Sequence, residues 1–516
     1  MKLSKIIFLM SVLLLGACSD NEETDSSADV MYHHNFRPYY HYTPQANWMN
    51  DPNGMVYFDG KYHLFYQYYP NGTTWGPMHW AHTVSTDLFH WEDQGIKLYP
   101  DELGYIFSGS AVADLNNTAG FKTGSETPLV AIFTHHQNIT GRQVQSLAYS
   151  NDKGDTWAKY ENNPVLDNPG IADFRDPKVI WHEATQRWIM VLAVYDHIRI
   201  YSSPDLKAWE LESEFGKNEG YHGGVWECPD LFPLKDEQGT EKWVMLVSLG
   251  GNEYSEPNGG SATQYFIGEF DGSSFVSEND EILWADYGID NYAGVTWSNI
   301  PETDGRRLFI GWMSNWAYAN VVPESGWRSG MTVPREIKLK KRQDNRYILH
   351  FSPVDELNTL VDPQKTIAPE TPANQIHVDY HEIIAGGSYQ VEMEIIPAEI
   401  DQFTISLGNE LEDLTISYST TDGEFTIDRS NSGHVTFNNL FMREIRCDYQ
   451  ATGATLPLTL LVDQNSVELF INQGEKVMTA LFFPRYNYKF LRLDGNTQSK
   501  FVKSLTIKAL KKSMIR

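Results

Sequence analysis

Three carboxylates stand beside or close to proline in short motifs that lie far apart in the chain. Residues 47–54 read Asn-Trp-Met-Asn-Asp-Pro-Asn-Gly around Asp51, residues 174–177 read Phe-Arg-Asp-Pro around Asp176, and residues 226–229 read Trp-Glu-Cys-Pro around Glu227. Proline fixes its own φ and restricts the residue before it, so these motifs have a constrained backbone. Hydrolysis of a glycosidic bond needs one carboxyl group to protonate the leaving oxygen and another to meet the cationic sugar. The motifs are candidates for this chemistry if the fold brings them together.

A repeat of about 60 residues runs through the first two thirds of the chain, and it predicts how the motifs meet. Five apolar strand-like runs recur at that spacing, and Ser-x-Asp turns followed by an aromatic residue recur out of phase with them. The runs are Tyr62–Tyr68, Leu129–His135, Trp188–Val194, Trp243–Leu249 and Leu308–Ser314. Repeats of this length with several short strands are typical of propeller blades. We therefore predict an all-β, five-bladed β-propeller over residues 36–345, with the three carboxylates at one end of its channel; a β-sandwich or barrel with accidental spacing is the alternative.

The pattern of polar and apolar residues changes after the propeller region. Residues 346–373 are largely polar and contain three prolines, which predicts a linker. Residues 374–516 alternate apolar and polar positions in short runs, such as Tyr389–Ile395 and Val467–Ile471, which predicts a C-terminal β-sandwich. This domain lacks a comparable cluster of acids and tryptophans, so we favour a role as packing partner over a role as sugar-binding module.

The composition narrows the class of ligand. The formal net charge of −28 argues against binding to nucleic acid or to anionic membrane surfaces. Aromatic residues make up 13% of the chain, and such a surplus is common in sugar sites. Cys228 and Cys447 lie in different predicted domains, so we expect two free, buried thiols. No metal-ligand spacing is visible, and we predict neither a metal nor a cofactor.

The N-terminus has the pattern of an export signal. Two lysines precede an apolar run, and residues 15–18 read Leu-Gly-Ala-Cys, which resembles the bacterial lipoprotein box. We predict a signal peptide over residues 1–17, lipidation of Cys18, and a flexible acidic tether over residues 18–35. The protein would then be exported and held to a bacterial membrane only through its lipid anchor; an ordinary signal peptide is the alternative.

The three motifs resemble the hallmark motifs of glycoside hydrolase family 32, which contains invertases, inulinases and levanases. The likeness extends in order and spacing to residues 65–67, 75–80, 107–110, 286–288, 311–313 and 329–336. The resemblance implies a five-bladed propeller followed by a β-sandwich. It also implies that Asp51 is the nucleophile, Glu227 the general acid/base and Asp176 the stabiliser of the transition state.

The same resemblance implies which residues line the sugar site. Arg175 would orient the three acids, and the residues expected around the terminal fructose are Asn50, Gln67, Trp75, Ser108 and Trp312. Because a nucleophile must be ionised, we expect hydrogen bonds to keep the pKa of Asp51 low.

The family implies a retaining hydrolase that acts on β-D-fructofuranosidic bonds through a covalent fructosyl-enzyme, and we expect a monomer. The motifs favour levan as substrate, then inulin, then sucrose. A transfructosylase on the same scaffold and a non-catalytic fructan-binding propeller are the alternatives.

Overall fold

The computed structural model describes residues 36–513, whose regular secondary structure is almost entirely β-strand. The predicted signal peptide, Cys18 and tether lie outside the described residues. The only α-helix in the described part is α1 (Glu382–Ala385), and 3₁₀ turns span Ala319–Val321, Asp355–Leu360, Pro397–Glu399 and Leu440–Met442. Over residues 36–513 no helix has the length and apolar character that a membrane crossing requires.

Residues 47–353 form five antiparallel sheets in sequence order. The first sheet contains β1 (Asn47–Phe58), β2 (Lys61–Tyr69), β3 (His79–Ser85) and β4 (Trp91–Leu98). The second contains β5 (Tyr105–Ala113), β6 (Leu129–His136), β7 (Gln143–Ser150) and β8 (Ala158–Lys159). The third contains β9 (Phe174–His182), β10 (Arg187–Val194), β11 (His197–Ser203) and β12 (Glu210–Phe215).

The last two sheets each carry one extra short strand. The fourth contains β13 (Gly224–Lys235), β14 (Glu241–Gly251), β15 (Ala262–Phe270), β16 (Phe275–Ser277) and β17 (Leu283–Trp284). The fifth contains β18 (Tyr292–Thr296), β19 (Arg307–Met313), β21 (Gly330–Met331), β22 (Arg335–Lys341) and β23 (Tyr347–Pro353).

The five sheets close into a ring, which confirms the predicted propeller. The first strands of the sheets contact one another in turn, β1 with β5, β5 with β9, β9 with β13 and β13 with β18, and β18 contacts β1 again. A further strand, β20 (Trp327–Arg328), leaves the fifth sheet and pairs in parallel with β1. This pairing ties the last sheet to the first.

The sequence repeat corresponds to the second strand of every sheet. The five predicted apolar runs coincide with β2, β6, β10, β14 and β19, whose central residues are buried. The Ser-x-Asp turns connect the third and fourth strands: Asp87, for example, accepts hydrogen bonds from the backbone N–H groups of Phe89 and His90. Because inner strands are covered on both sides, they are continuously apolar, whereas the edge strand β12 is mostly exposed and charged.

The C-terminal region is the predicted β-sandwich of two six-stranded sheets. One sheet has the order β24 (Val361–Ile367), β35 (Val502–Leu510), β26 (Tyr389–Ile395), β31 (Leu456–Asp463), β32 (Ser466–Ile471), β33 (Lys476–Leu481). The other has the order β25 (Gln375–Asp379), β34 (Phe490–Gly495), β27 (Gln402–Gly408), β28 (Asp413–Ser419), β29 (Glu424–Asp428), β30 (Ile445–Asp448).

The stretch predicted as a linker, residues 346–373, is instead mostly part of the two domains. Its first part is β23, which completes the fifth propeller sheet, and β24 is an edge strand of the sandwich. The prediction failed because prolines and polar residues also suit exposed edge strands: Pro363 and its neighbours lie where one side of the strand has no partner.

Buried ion pairs join the two domains. Arg335 of the propeller contacts Asp286 and also Glu468 of the sandwich, and all three side chains are almost fully buried. Arg429 of the sandwich contacts Asp290, which lies just before β18, at 2.6 Å. Removing one partner from such a pair leaves a buried charge uncompensated, so the two domains are expected to unfold together.

Candidate active site

The first strand of every propeller sheet is irregular at the same level, near its N-terminal end. The pairing register shifts between Met49 and Pro52 in β1, and at the corresponding positions 106–109 of β5, 175–178 of β9, 227–230 of β13 and 292–295 of β18. Such bulges bend the strand and redirect side chains. Each one points a polar or aromatic side chain toward the axis of the ring.

Several of these bulges require unusual backbone conformations. Asp176 has a φ of 63° and Cys228 a φ of 45°, both in the left-handed region. Aspartate tolerates this region better than most residues, because its short side chain bonds locally. Pro177 and Pro229 lie inside their bulges and Pro52 lies at the edge of its bulge. A missing backbone N–H is tolerated at such positions because the regular ladder is interrupted there.

The redirected side chains meet in a pocket of about 310 Å³ at one end of the channel. Asp51, Asp176 and Glu227 all line it, so the structure brings together the three predicted catalytic residues from three different sheets. The complete lining is Asn50, Asp51, Gln67, Trp75, Phe107, Ser108, Gln143, Asp173, Arg175, Asp176, Glu227, Tyr292 and Trp316.

The Asp51 carboxylate is buried and held on both oxygens. Ser108 Oγ donates to Oδ2 at 2.6 Å, and Asn50 Nδ2 donates to Oδ1 at 3.0 Å. The expectation of a low pKa is wrong: burial raises the pKa of Asp51, and although the two hydrogen bonds lower it, the nearby Glu227 charge adds to the rise. The cost of removing the carboxylate from water outweighs the two hydrogen bonds.

Asp176 is also buried, between Arg175 and the backbone of β13. The Cys228 N–H donates to Asp176 Oδ2 at 3.0 Å, and Arg175 Nε lies 3.9 Å from the same oxygen. Burial raises the pKa of Asp176 to about 7; Arg175 opposes this rise, while the charges of Glu227 and Asp51 reinforce it. The pocket therefore favours holding at least one proton near neutral pH.

Cys228 lies between two of the acids. Its Sγ is 3.5 Å from Asp51 Oδ2 and 3.6 Å from Asp176 Oδ2. Cys228 and Cys447 are both free and buried, as predicted. Burial raises the pKa of the Cys228 thiol, and the surrounding carboxylates raise it further, so the thiol stays neutral beside them.

Glu227 is fixed by one group on each carboxylate oxygen. Arg175 donates to Oε1 from Nη2 at 2.7 Å and from Nε at 3.1 Å, and the Tyr292 hydroxyl donates to Oε2. Arg175 also contacts Asp173, so its guanidinium lies among three carboxylates. Glu227 is the most accessible of the three candidate catalytic acids, with 20% of its side chain exposed. A partly exposed carboxyl at the pocket opening suits exchange of protons with a leaving group and with water.

A buried ion pair supports the pocket from below. Lys178 Nζ donates to Asp230 Oδ2 at 3.0 Å and to the Thr296 carbonyl at 2.6 Å. These residues belong to the third, fourth and fifth sheets, and two of them directly follow the bulges that carry Asp176 and Glu227. The pair therefore fixes the spacing between those two bulges.

Five of the six residues predicted to bind the sugar line the pocket, namely Asn50, Gln67, Trp75, Ser108 and Arg175. Trp312 does not: it is fully buried behind the wall, with its ring 4.8 Å from that of Trp316 and 6.1 Å from that of Trp48. Trp316, which follows it by four residues, takes the place on the wall. The motif around Trp312 lies at the end of β19, which packs behind the pocket wall.

Sequence reasoning missed five lining residues: Phe107, Gln143, Asp173, Tyr292 and Trp316. Phe107 belongs to the motif at residues 107–110 and Asp173 directly precedes the motif at residues 174–177, so both were within reach of the motifs. Tyr292 begins the first strand of the fifth sheet, and alignment of the five repeats could have found it. Gln143 begins a third strand and Trp316 lies in a loop, so neither carried a local signal.

Within residues 36–513 no three potential metal ligands are grouped closely enough to hold a metal ion. The side chains in the pocket are acids, one guanidinium, amides, hydroxyls and aromatic rings. They suit a neutral, hydroxyl-rich ring that is attacked and protonated by carboxyl groups.

Two family models together match most of the chain. Residues 41–351 match the N-terminal domain of glycosyl hydrolases family 32, and residues 356–509 match the C-terminal region of the same family. The first match ends within β23, and the second begins before β24.

Curated proteins and solved structures give the same result. The chain is 48% identical to a levanase of Bacillus subtilis over 98% of this chain and 74% of that protein. It is 36% identical to an extracellular exo-inulinase of Aspergillus niger over 90% of this chain and 92% of that protein. The crystal structure of an exo-inulinase from Aspergillus awamori superposes with a TM-score of 0.85 at 34% identity, covering 94% of this chain and 100% of that one. The chain therefore belongs to glycosyl hydrolase family 32.

Proposed function

We propose that this protein is a retaining fructan hydrolase that cleaves β-D-fructofuranosidic bonds through a covalent fructosyl-enzyme. Family membership makes the chain a β-fructofuranosidase. The observation that carries the finer proposal is the meeting of Asp51, Asp176 and Glu227 in one pocket, each on a bulge of a different sheet.

In the proposed first step, protonated Glu227 donates its proton to the glycosidic oxygen while Asp51 attacks the anomeric carbon. The bond from that carbon to the leaving oxygen breaks, and the electron pair of Asp51 forms an ester to the fructosyl unit. Two hydrogen bonds orient the Asp51 carboxylate for this attack. Arg175 and Tyr292 hold Glu227 in one rotamer, which fixes the position from which its carboxyl O–H donates to the leaving oxygen.

In the proposed second step, ionised Glu227 removes a proton from water, and the water oxygen attacks the same carbon and releases Asp51. In both steps Asp176 stabilises the positive charge that develops on the fructosyl ring. Asp176 also accepts hydrogen bonds from the hydroxyl groups of that ring. Its fixed position against the β13 backbone means that little reorganisation is needed when the charge appears.

The roles are tested with Asp51→Asn and Glu227→Gln, and with Glu302→Gln as an exposed control in the turn between β18 and β19. Loss of the general acid is expected to lower kcat roughly 10²–10⁴-fold, and loss of the nucleophile at least as much, while all three variants keep the wild-type near-UV spectrum. Near-normal turnover by either pocket variant would contradict its role.

The covalent intermediate has its own test. Glu227→Gln slows the second step, so with a substrate whose leaving group needs no proton the fructosyl-enzyme should accumulate. Intact mass spectrometry should then show one added fructosyl unit, and peptide mapping should place it on Asp51. Turnover that never yields this adduct would argue for direct displacement by water.

We propose the substrate order levan, inulin, sucrose. The relatives support it: a Bacillus subtilis levanase is more similar to this chain than the Aspergillus niger exo-inulinase. Parallel measurement of kcat/KM on the three substrates tests the order, and a higher value on sucrose than on levan would reverse it. Comparing free fructose with longer oligomers in the same reactions separates hydrolysis from transfructosylation.

We also propose that the enzyme is exported and held to a membrane by acyl chains on Cys18. The proposal rests on the charged start, the apolar run and the Leu-Gly-Ala-Cys sequence at residues 15–18. Labelled palmitate should appear on the wild-type protein in a bacterial host and be absent from Cys18→Ala. Release of the wild-type protein without label would contradict it.

A further inference from the structure

The loops between the second and third strands of the propeller sheets surround the opening of the pocket. The first strand of each sheet begins at the pocket, so the antiparallel second strand ends there and the next loop lies at the rim. Three of these loops carry strongly exposed aromatic side chains: Trp75 is 41% exposed, Tyr195 is 55% exposed and Tyr254 is 80% exposed. Trp75 already lines the pocket, whereas the two tyrosines lie outside it.

Tyr195 occupies a backbone position that a tyrosine disfavours. It lies in the two-residue connection between β10 and β11 and has a φ of 57°. Two-residue hairpins strongly prefer asparagine, aspartate or glycine at such positions, and a bulky residue there is an outlier. Because the Tyr195 ring is exposed, it does not offset the free-energy cost of its backbone conformation by packing in a core. We infer that the residue has a role other than folding.

The backbone of Tyr195 is held between the pocket wall and the strand that carries Glu227. Its N–H donates to the carbonyl of Asp173 at 2.9 Å, and its carbonyl accepts from the N–H of Trp226 at 2.7 Å. Asp173 lines the pocket, and Trp226 is adjacent to Glu227. The ring is therefore presented at the rim directly beside the catalytic pocket.

Tyr254 is presented in a comparable way on the fourth sheet. Its N–H donates to Asn252 Oδ1 at 2.9 Å, and the next residue, Ser255, donates from Oγ to the Gly223 carbonyl at 2.9 Å. Arg443 of the sandwich lies 5.9 Å from the centre of the Tyr254 ring. The loop is anchored on both sides of the ring, while the ring itself remains in solvent.

We propose that Tyr195 and Tyr254 form an outer binding site for the sugar rings of a fructan chain whose terminal unit occupies the pocket. This inference rests on the proposed function. A pocket of about 310 Å³ is at the small end of ligand sites, so most of a polymer must lie outside it and cross the rim. A tyrosine presents an apolar ring face and a polar hydroxyl group, which suits the CH and OH groups of a sugar ring.

The outer site is tested by the ratio of kcat/KM on levan to kcat/KM on sucrose, because sucrose is too short to reach beyond the pocket. Tyr195→Asn and Tyr254→Ser should each lower this ratio roughly 3- to 10-fold, the value of one aromatic contact. Tyr380→Ser is the matched control, since Tyr380 is 69% exposed on the sandwich, and its ratio should equal that of wild type. An unchanged ratio in both rim variants, or an equal loss on both substrates, would overturn the proposal.

Stability gives a second measurement. Asparagine suits the left-handed conformation at position 195, so Tyr195→Asn should melt at or above the wild-type temperature while binding levan less well. A lower melting temperature would mean that the ring has a structural role, and would overturn the proposal.

Binding without turnover separates this inference from the proposed function. Asp51→Asn should be retarded in a native gel that contains levan, and adding Tyr195→Asn should reduce the retardation. Equal retardation of the two proteins would overturn the outer site. If wild-type protein releases no fructose from any substrate but is retarded in the same way, the hydrolase proposal fails and the outer site stands.

Discussion

Replacing Asp176 by asparagine separates the chemistry of the pocket from the cost of burying a charge in it. Asparagine keeps the shape of the side chain and tolerates the left-handed φ of 63° at this position. The variant should therefore fold, lose activity and, above neutral pH, become more stable than the wild type.

The magnitude follows from the pKa of Asp176. Burial raises it from the ordinary value of 3.8 to about 7. At about 1.36 kcal/mol per pKa unit, this shift corresponds to roughly 4 kcal/mol in the stability of the wild-type protein. This stability is present below pH 4, where Asp176 is protonated, and is lost as the pH rises through about 7 and Asp176 ionises. A carboxamide accepts the Cys228 N–H less well than a carboxylate, which costs about 1–2 kcal/mol. We expect a net gain of about 1–3 kcal/mol at pH 8.

Urea unfolding of both proteins between pH 4 and pH 8 measures this difference, and hydrolysis of levan at each pH measures the chemistry. The stability gain should disappear as the pH falls toward 4, and kcat/KM should be roughly 10²–10³-fold lower. A variant that is less stable than wild type at pH 8, or whose advantage does not change with pH, would refute the reasoning.

Asp101→Asn is a control for which the expected change in stability has the opposite sign. Burial alone would raise the pKa of Asp101, but hydrogen bonds from His135 and Lys159 lower it well below its ordinary range. Its contribution to stability is therefore present above the ordinary pKa and lost as the pH falls. The Asp101→Asn variant should be less stable than wild type at neutral pH, with the gap narrowing in acid.

Three further predictions concern the supports of the site. Tyr292→Phe removes the hydroxyl that donates to Glu227, and kcat/KM should fall roughly 10- to 100-fold, the value of a hydrogen bond to a charged group, with melting unchanged. Arg429→Met leaves a buried aspartate unpaired at the domain interface and should lower the unfolding free energy in urea by about 3–5 kcal/mol, whereas the surface change Arg446→Met should cost less than about 1 kcal/mol. Burial alone would lower the pKa of His41, but the hydrogen bonds that its ring donates to two sandwich carboxylates raise it to about 9. Wild type should therefore lose stability relative to His41→Gln as the pH rises from about 6.5 through 9, and a pH-independent difference in melting temperature would contradict this.

The fold was predictable because its signals are local and repeated. An inner propeller strand is covered on both sides, so its apolar run is visible in the sequence, and five such runs at similar spacing imply five sheets. The Ser-x-Asp turns were visible for the same reason, since their hydrogen bonds join residues two or three positions apart. The linker prediction failed at residues 346–373, where edge strands have the composition of a loop.

The acids of the site were predictable from their motifs, but the wall was predictable only in part. Trp312 belongs to a recognisable motif, yet the direction of a side chain depends on a bulge and on its neighbours, and this one points away from the pocket. Trp316 and Gln143 reach the pocket from a loop and from a third strand. Nothing in their immediate sequence distinguishes them from residues that pack elsewhere.

The sequence by itself determined which chemical groups are available, the number of sheets and the sheets to which the three acids belong. Only the tertiary structure decided that the bulges of five strands meet at one level, that Tyr292 and Arg175 hold Glu227, and that the pKa of Asp51 rises instead of falling. The physical reason is range: strand periodicity and turn chemistry act between near neighbours in the chain. Burial and electrostatic interaction depend on atoms that come close only when the ring closes.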